Sequence, residues 1–514
     1  MDHNIGLMLE KRAHLNPNLE GCVETESGRR FTYAELDARC NKTANMLLEQ
    51  GVKPGDRVAL LMMNGVEFME SFFAIAKIGA VCVPLNWRLT PDELCFILKD
   101  SGAKTLVFSS DFAEAVEDIH GRGGDATDIS RWISVGERTA IADDYDALHE
   151  AASDSRPAIG AAEDDMLFIM YTSGTTGLPK GAVHTHNSTL WGSLTSLATS
   201  DMQQKDRYLL VLPLFHVGAL SPLIACVHGG GTSVIMRGFD LDAMWTNIEA
   251  EKITTMLAVP AMLNFMLLSP AKDTADYSTL RWVMSGAAPV PVTLIETYAG
   301  MGIEIHQVYG LTETCGPSCL ISPDDAMAKA GSTGKSFFHT NVRVVDSDGN
   351  VIKAGEVGEV LVSGKHIMKE YWNRADATSE TIVDGWLHTG DLATVDEEGF
   401  VYIQDRIKDM IISGGENIYP AEIENVLLAH PKIQDCAVIG QQNQQWGEVC
   451  LAVVVREDES LTEADVMKHC DGKLARYKLP KGVEFVDAIP RNPTGKALKR
   501  ILRDQFPGEE AKAS

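Results

Sequence analysis

Hydrophobic positions follow two alternating rhythms through the first two-thirds of the chain. Short apolar runs such as DRVALLMMN (56–64), VCVPLN (81–86) and KTLVFSS (104–110) have the length of buried strands. Between them, VEFMESFFAIAKIGA (66–80) and TPDELCFILKDSGA (90–103) space their apolar residues as helices do, and the second opens with Thr90 as an N-cap and Pro91 at the first helical position. GGTSVIM, DLDAMWTNIEAEKI, RWVMSGAAP, PVTLIETYAGMGI and EIHQVYG repeat the rhythm, so the chain to about residue 330 reads as α/β units with parallel strands covered by helices. From residue 341 short β segments follow one another between the turn signals DSDGN, KAGEVGEV and DEEGF. Mixed α/β texture returns after 405, where AEIENVLLAH predicts an amphipathic helix after Pro420. The expected fold class is α/β: a large N-terminal domain over 1–404, made of stacked α/β sheets plus a β-rich subdomain, and a small C-terminal α/β domain over 405–514. The boundary is expected near QDRIKD (404–409).

Length agrees with two domains, since 514 residues exceed what one hydrophobic core usually serves. No run of 18 apolar residues occurs, and the best candidate, AIAKIGAVCVPL (74–85), is too short and contains Lys77. The amino terminus lacks the basic start and apolar block of a secretory signal, so a cytoplasmic protein without stable membrane insertion is expected. Ten cysteines without paired spacing read as free thiols in a reducing compartment, and neither the Cys315 and Cys319 pair nor His184 and His186 has the companions a zinc site needs. A net charge of −27 argues against nucleic acid and anionic membranes as partners. One segment runs against that balance: residues 473–503 carry nine Lys or Arg, an island able to receive small phosphates.

The apolar run MLFIM (166–170) leads directly into YTSGTTGLPKG (171–181), with four small hydroxyl residues, three glycines and, near its end, Lys180. A strand ending in such a loop suits polyphosphate, because glycine lets backbone amides approach the oxygens while hydroxyls and a lysine add donors. The stretch does not fit GxxxxGK[ST], since Gly181 follows Lys180, and GSTGKS (331–336) fails because Lys329 stands where the first glycine should be. GxSxG is absent, which weakens a serine-hydrolase reading.

Further motifs follow in order: LPLFHVGAL (212–220), SGAAP (285–289), QVYGLTET (307–314), WLHTGDLA (386–393), DRIKDMIISGGENIYPAEIE (405–424) and PRNPTGKALKR (490–500). This ordered set resembles the adenylate-forming superfamily of acyl-CoA synthetases, aryl-CoA ligases, peptide-synthetase adenylation domains and firefly-type luciferases. It looks most like the bacterial soluble fatty-acyl-CoA ligases, and the resemblance covers essentially the whole chain. It implies an AMP-forming acid–thiol ligase that uses ATP, Mg2+ and coenzyme A. A carboxylic acid would first be joined to the α-phosphate of ATP, and the coenzyme A thiol would then displace AMP.

By the same resemblance Thr172, Ser173, Gly174, Thr175, Thr176, Gly177 and Lys180 would grip the phosphates, and Glu313 would bind the magnesium ion, with Thr312 beside it. Gly286, Ala287 and Ala288 would lie against the adenine, with Gln307, Tyr309 and Gly310 on another side. Asp391 would hold the ribose hydroxyls, Arg406 the ribose and phosphate, and Lys496 would be the cation aimed at the developing charge of the first step. Asp405 would be the hinge on which the small domain swings between half-reactions. Gly414 and Gly415 would line the thiol's approach, with Lys473 and Arg476 in the basic island meeting the coenzyme's phosphates.

His216 would border the acyl site. It stands where amino-acid-activating relatives usually place an aspartate, so amino-acid activation is not expected. Small residues at Gly310 and Ala219 leave room for an alkyl chain or an aromatic ring. A medium- or long-chain fatty acid is the first expectation, a hydroxycinnamate-type acid the second, and a non-catalytic nucleotide sensor a remote third that the intact Glu313, Asp391 and Lys496 argue against. The resemblance implies a monomer or homodimer.

Overall fold

The computed structural model describes residues 4–172, 179–288, 290–322, 324–413, 416–443, 446–471, 473–474, 476–491 and 497–508. Its first sheet has nine strands in the order Lys335–Ser336, Cys319–Leu320, Glu304–Tyr309, Trp282–Ser285, Thr255–Leu257, Arg207–Leu210, Thr232–Ile235, Glu20–Glu24, Arg30–Thr32. The six from Glu304–Tyr309 to Glu20–Glu24 run parallel. A second sheet of eight strands is ordered Glu370–Tyr371, Lys180–Thr185, Met166–Thr172, Val81–Pro84, Arg57–Leu61, Thr105–Ser109, Arg131–Val135, Asp143–Asp144. It is parallel from Met166–Thr172 onward, and the first two strands are antiparallel additions at its edge.

Packing explains why some helices read as amphipathic and others as apolar on all sides. One core cluster contains residues of both sheets, among them Cys22 and Tyr208 of the first and Val58 and Phe168 of the second. The helices Tyr33–Glu49, Val66–Lys77 and Val217–Gly229 contribute to the same cluster and are therefore layered between the sheets. In Val66–Lys77 every residue but Glu67 is buried, as the sequence VEFMESFFAIAK requires of a helix with apolar neighbours on both sides. Its one interior cation, Lys77, is held by Asp37 Oδ1 and Asn41 Oδ1, each at 2.8 Å. The outer face of the first sheet is covered by Leu241–Ala250 and Val292–Gly300, and that of the second by Pro91–Ser101 and Ala113–Gly121. Thr90 caps Pro91–Ser101 as expected, its side chain accepting from the Glu93 amide.

The β-rich region forms a third, antiparallel sheet of Asn341–Val345, Val357–Ser363, Trp386–Val395 and Ile382–Val383, with Val401–Arg406 also pairing Trp386–Val395. That last strand continues past VYIQ through Asp405, which lies opposite Leu392. The fourth sheet begins at Ile411–Ser413 and holds Glu416–Ile418, Gly447–Arg456, Ile433–Asn443 and Gly482–Phe485. Helices Pro420–Leu428 and Glu463–Cys470 cover one of its faces and Lys499–Gln505 the other. All ten cysteines are free and buried, and burial raises the pKa of each. Among the described residues no helix is long and apolar enough to cross a membrane.

Candidate active site

Three sheets supply side chains to one place at the C-terminal edge of the first sheet's parallel strands, the edge where open α/β sheets receive ligands. Strand Trp282–Ser285 ends in Gly286, and its neighbour Glu304–Tyr309, paired Ser285 to Gln307, ends in Tyr309. The side chains of Gln307 and Ser285 are buried, and Gln307 Nε2 and Ser285 Oγ have no hydrogen-bond partner among the described residues. After Gly286 the chain turns through Ala287 at φ +67°, a left-handed conformation that L residues rarely adopt and that keeps this turn tight.

From the third sheet come Asp391 and Arg406, paired across adjacent strands. Asp391 Oδ2 accepts from Tyr309 OH at 2.7 Å and Oδ1 lies 3.0 Å from Arg406 Nε, so one carboxylate joins the first sheet to the third. The Arg406 contact is an ion pair without a well-aligned hydrogen bond, which leaves the Nε proton available among the described residues. Burial alone would lower the guanidinium's pKa, but Asp391, Tyr309 and Glu313 outweigh it and hold Arg406 above the ordinary arginine value. Burial and the neighbouring carboxylate push the Tyr309 phenol well above its usual range, so it remains a donor.

The TET triplet forms a short 3-10 turn, Thr312–Thr314, directly after Gly310 and Leu311. Two buried histidines fix it: His184 Nε2–H donates to the Thr312 carbonyl and His366 Nδ1–H to the Thr314 carbonyl, each at 2.8 Å. Burial pushes His184 down to about 4, so the imidazole is neutral and can play that part. The turn presents Glu313, whose Oε1 accepts from Tyr371 OH at 2.7 Å. Oε2 makes no contact of this kind among the described residues, so one hard oxygen is left for a cation. Magnesium, commonly held by one or two carboxylates together with substrate phosphates, suits that donor. Lys180 closes the hairpin Met166–Thr172 and Lys180–Thr185, opposite Thr172, and its Nζ lies 5.3 Å from the centre of the Tyr371 ring.

The expected residues Thr172, Lys180, Gly286, Ala287, Ala288, Gln307, Tyr309, Gly310, Thr312, Glu313, Asp391 and Arg406 thus lie on these converging segments. Ser173, Gly174, Thr175, Thr176, Gly177, Gly414, Gly415 and Lys496 lie outside the described residues. His216 stands apart, as the residue before helix Val217–Gly229, with its ring 4.4 Å from that of Phe215. Burial, aided by the charge of Arg88, pushes its pKa down to about 3. His216 is therefore neutral, and its buried Nε2 has no hydrogen-bond partner among the described residues. Ala219 is fully buried in the core between the sheets.

Two readings of small residues change. A Cβ on Gly286 would lie 2.2 Å from the Val308 carbonyl oxygen, and one on Gly310 would lie 1.4 Å from that of Gly316. Glycine is required at both positions by neighbouring backbone, whatever ligand lies beyond. The basic island is also less open than its composition implies, because Lys478 pairs with Glu422, Arg491 with Asp435, Lys499 with Glu424 and Arg503 with Asp409 at 2.6–3.0 Å. Arg476, Lys481 and Arg500 are exposed, as is Lys473, whose Nζ approaches the His469 ring at 3.1 Å. Tyr371 escaped sequence reasoning: MKEYWNRADAT carries no local signal, and the residue acquires its contacts only because Glu370–Tyr371 pairs with Lys180–Thr185.

Comparison with known proteins agrees along the whole chain. The profile of the AMP-binding enzyme family matches residues 9–372, and that of the AMP-binding enzyme C-terminal domain matches 422–496. Long-chain-fatty-acid–CoA ligase FadD13 of Mycobacterium tuberculosis is 45% identical over 506 residues, covering 98% of both chains. Feruloyl-CoA synthase of an Amycolatopsis species is 39% identical over 507 residues, covering 98% of this chain and 99% of that one. Among solved structures, a Mycobacterium tuberculosis fatty acyl CoA synthetase superposes with a TM-score of 0.80 at 43% identity, covering 98% of both chains. The anthranilate CoA ligase AuaEII in complex with anthranoyl-AMP gives 0.91 at 27% identity, covering 100% of this chain and 99% of that one. A profile spanning most of the chain and relatives aligned end to end have one meaning: the chain belongs to the family of AMP-binding, adenylate-forming enzymes.

Proposed function

We propose that this chain is an ATP-dependent acid–CoA ligase acting on a medium- or long-chain fatty acid. The carboxylate oxygen attacks the α-phosphorus of ATP and pyrophosphate leaves; the coenzyme A thiol then attacks the acyl carbonyl, giving up its proton, and AMP leaves. The observation that carries the reading is the convergence of Asp391, Arg406 and Tyr309 on the same sheet edge as Glu313 and Lys180. It combines an acceptor for sugar hydroxyls, a cation for phosphate, a free carboxylate oxygen for Mg2+ and a lysine at the end of a donor-rich loop.

In this reading Asp391 accepts from the ribose hydroxyls and Arg406 directs its available Nε proton toward the nucleotide. Lys180 holds the outer phosphates, and Glu313 Oε2 would hold a magnesium ion, whose charge would offset that of the phosphates. His216, neutral and with an Nε2 that has no partner among the described residues, offers a hydrogen bond at the acyl end without adding charge. Lys496 supplies the cation for the first step, residues 1–404 form the nucleotide- and acyl-binding domain, and 405–514 form a domain that reorients about Asp405. The fatty acid is favoured by the relative FadD13 and by the apolar sequence VGALSPLIACV that follows His216.

The test is incubation with Mg2+, ATP, coenzyme A and an equimolar panel of short, medium and long fatty acids, benzoate and hydroxycinnamates, with thioesters identified by mass spectrometry. A dominant alkyl series is expected. A dominant aryl thioester would replace the fatty acid by the acid class named for the feruloyl-CoA synthase. AMP without thioester would move the acceptor away from coenzyme A, and neither product would overturn the reading.

A further inference from the structure

Tyr371 touches both of the charged groups that approach the outer phosphates from the second sheet and the TET turn. Its hydroxyl donates to Glu313 Oε1 at 2.7 Å, and its ring centre lies 5.3 Å from Lys180 Nζ. The backbone around it reaches the same two places: Tyr371 pairs with Ala182 in the strand that begins at Lys180, and the Met368 amide donates to the Glu313 carbonyl at 2.8 Å. Trp372 N donates to Gly181 O at 2.7 Å. The residue is buried, with 8% of its surface exposed, so the phenol has little freedom to turn away.

A carboxylate has two oxygens, and a lone magnesium carboxylate on a turn can ligate through either, or swing. One phenol proton on Oε1 removes that choice, because it occupies one oxygen and leaves Oε2 for the cation. A fixed ring beneath Lys180 restrains a long, rotamer-rich side chain through its quadrupole. We propose that Tyr371 is a positioning residue that fixes the metal-binding carboxylate Glu313 in a single-oxygen orientation and, through its ring, holds Lys180 in register with it. The two halves of the phosphate grip, one from the hairpin and one from the TET turn, are thereby set by one side chain. This rests on the ligase reading given above for Glu313 and Lys180.

The test uses full-length protein and two readouts: binding of Mn2+ in the presence of ATP, followed by the loss of the free-ion electron paramagnetic resonance signal, and pyrophosphate exchange as a function of Mg2+ and of ATP. Tyr371→Phe deletes one oxygen and keeps the ring. It should weaken Mn2+ binding about 10- to 100-fold, as removing a partner behind a metal ligand does. The ATP KM at saturating Mg2+ should stay within about threefold. Tyr371→Leu also removes the ring and should raise the ATP KM beyond that. A double-mutant cycle separates positioning from packing: in a Glu313→Gln background the Tyr371→Phe change should have no further effect on Mn2+ binding. Wild-type Mn2+ affinity in Tyr371→Phe, or equal losses with and without Glu313, would overturn the proposal. Wild-type protein that binds no Mn2+ with ATP and exchanges no pyrophosphate would instead overturn the ligase reading itself, a different outcome. Were Tyr371→Phe not to fold, Tyr371→His, which keeps a ring N–H donor, read in the same cycle against Glu313→Gln, decides between the same two results.

Discussion

At position 310 a single methyl group would have to occupy the space of the Gly316 carbonyl oxygen, 1.4 Å from the ideal Cβ. Gly310→Ala is therefore expected to lower stability by about 1–3 kcal/mol, the range for forcing extra atoms into packed structure, and to displace the TET turn that follows. Urea denaturation checks the first effect and the Mg2+ dependence of pyrophosphate exchange the second; an unaltered midpoint would refute it. At Lys496 the expectation is kinetic. A cation about 4 Å from a phosphate oxygen at an effective dielectric near 20 contributes about 4 kcal/mol, about a thousandfold in rate if felt only in the transition state. Lys496→Ala should thus cripple adenylate formation while thioester formation from supplied acyl-adenylate is much less affected, as single-turnover measurements of each half-reaction would show. Candidate residues inside contiguous motifs are legible in a sequence because loop, turn and charge sit within a few positions of one another. Tyr371 was not, since its partners Glu313 and Lys180 lie far off in the chain and only an edge-strand pairing brings them to it. Gly286 and Gly310 were legible as small, but the sequence could not reveal that Val308 and Gly316 demand it.

Elements are legible in the sequence because their signals are local. The capped helix at Pro91–Ser101, the apolar helix Val66–Lys77 and the alternating strands all follow from spacing and caps. Assignment of strands to two parallel sheets was not legible, since it depends on which apolar faces meet across hundreds of residues. Two buried histidines make the stability of the fold depend on pH. His184 is the penultimate residue of strand Lys180–Thr185 and His186 begins the next helix; both are fully buried, and burial pushes each down to about 4. An unfolded histidine titrates near 6.5, so between those values the unfolded chain binds more protons than the folded one. Stability is complete above about pH 6.5 and falls on acidification by about 1.4 kcal/mol per pH unit for each histidine. Denaturant midpoints should drop between pH 7 and pH 5. His186→Asn, whose oxygen can still accept from the Ile5 amide as Nδ1 does at 3.0 Å, should reduce the slope by one proton. Equal midpoints at the two pH values would contradict the assignment.

On the scale of the whole molecule the segment at Asp405 carries contacts from both sides. Its Oδ1 accepts from the Arg406 amide at 2.7 Å and its Oδ2 from the Ala421 amide at 3.1 Å, so this residue of the third sheet also holds the start of helix Pro420–Leu428. Burial raises its pKa against the opposing charge of Lys499, 3.9 Å away. Asp405→Pro fixes φ and removes both acceptors, and is expected to leave one half-reaction near normal while slowing the other at least tenfold. Full overall turnover would show that no reorientation occurs there. A change of texture near QDRIKD is the sequence signal for an expected boundary there, while the network of Lys499, Glu424 and Asp409 behind Asp405, assembled from residues spread over nearly a hundred positions, is out of the sequence's reach. The burial of every native thiol has a practical consequence for following such motion. Since none of the ten cysteines is exposed and all are poor nucleophiles, a cysteine placed on each side of residue 405 would be the only pair a maleimide dye reaches quickly. Distances between two fluorophores could then be recorded during turnover in the otherwise unaltered protein, with no cysteine-free background to build first.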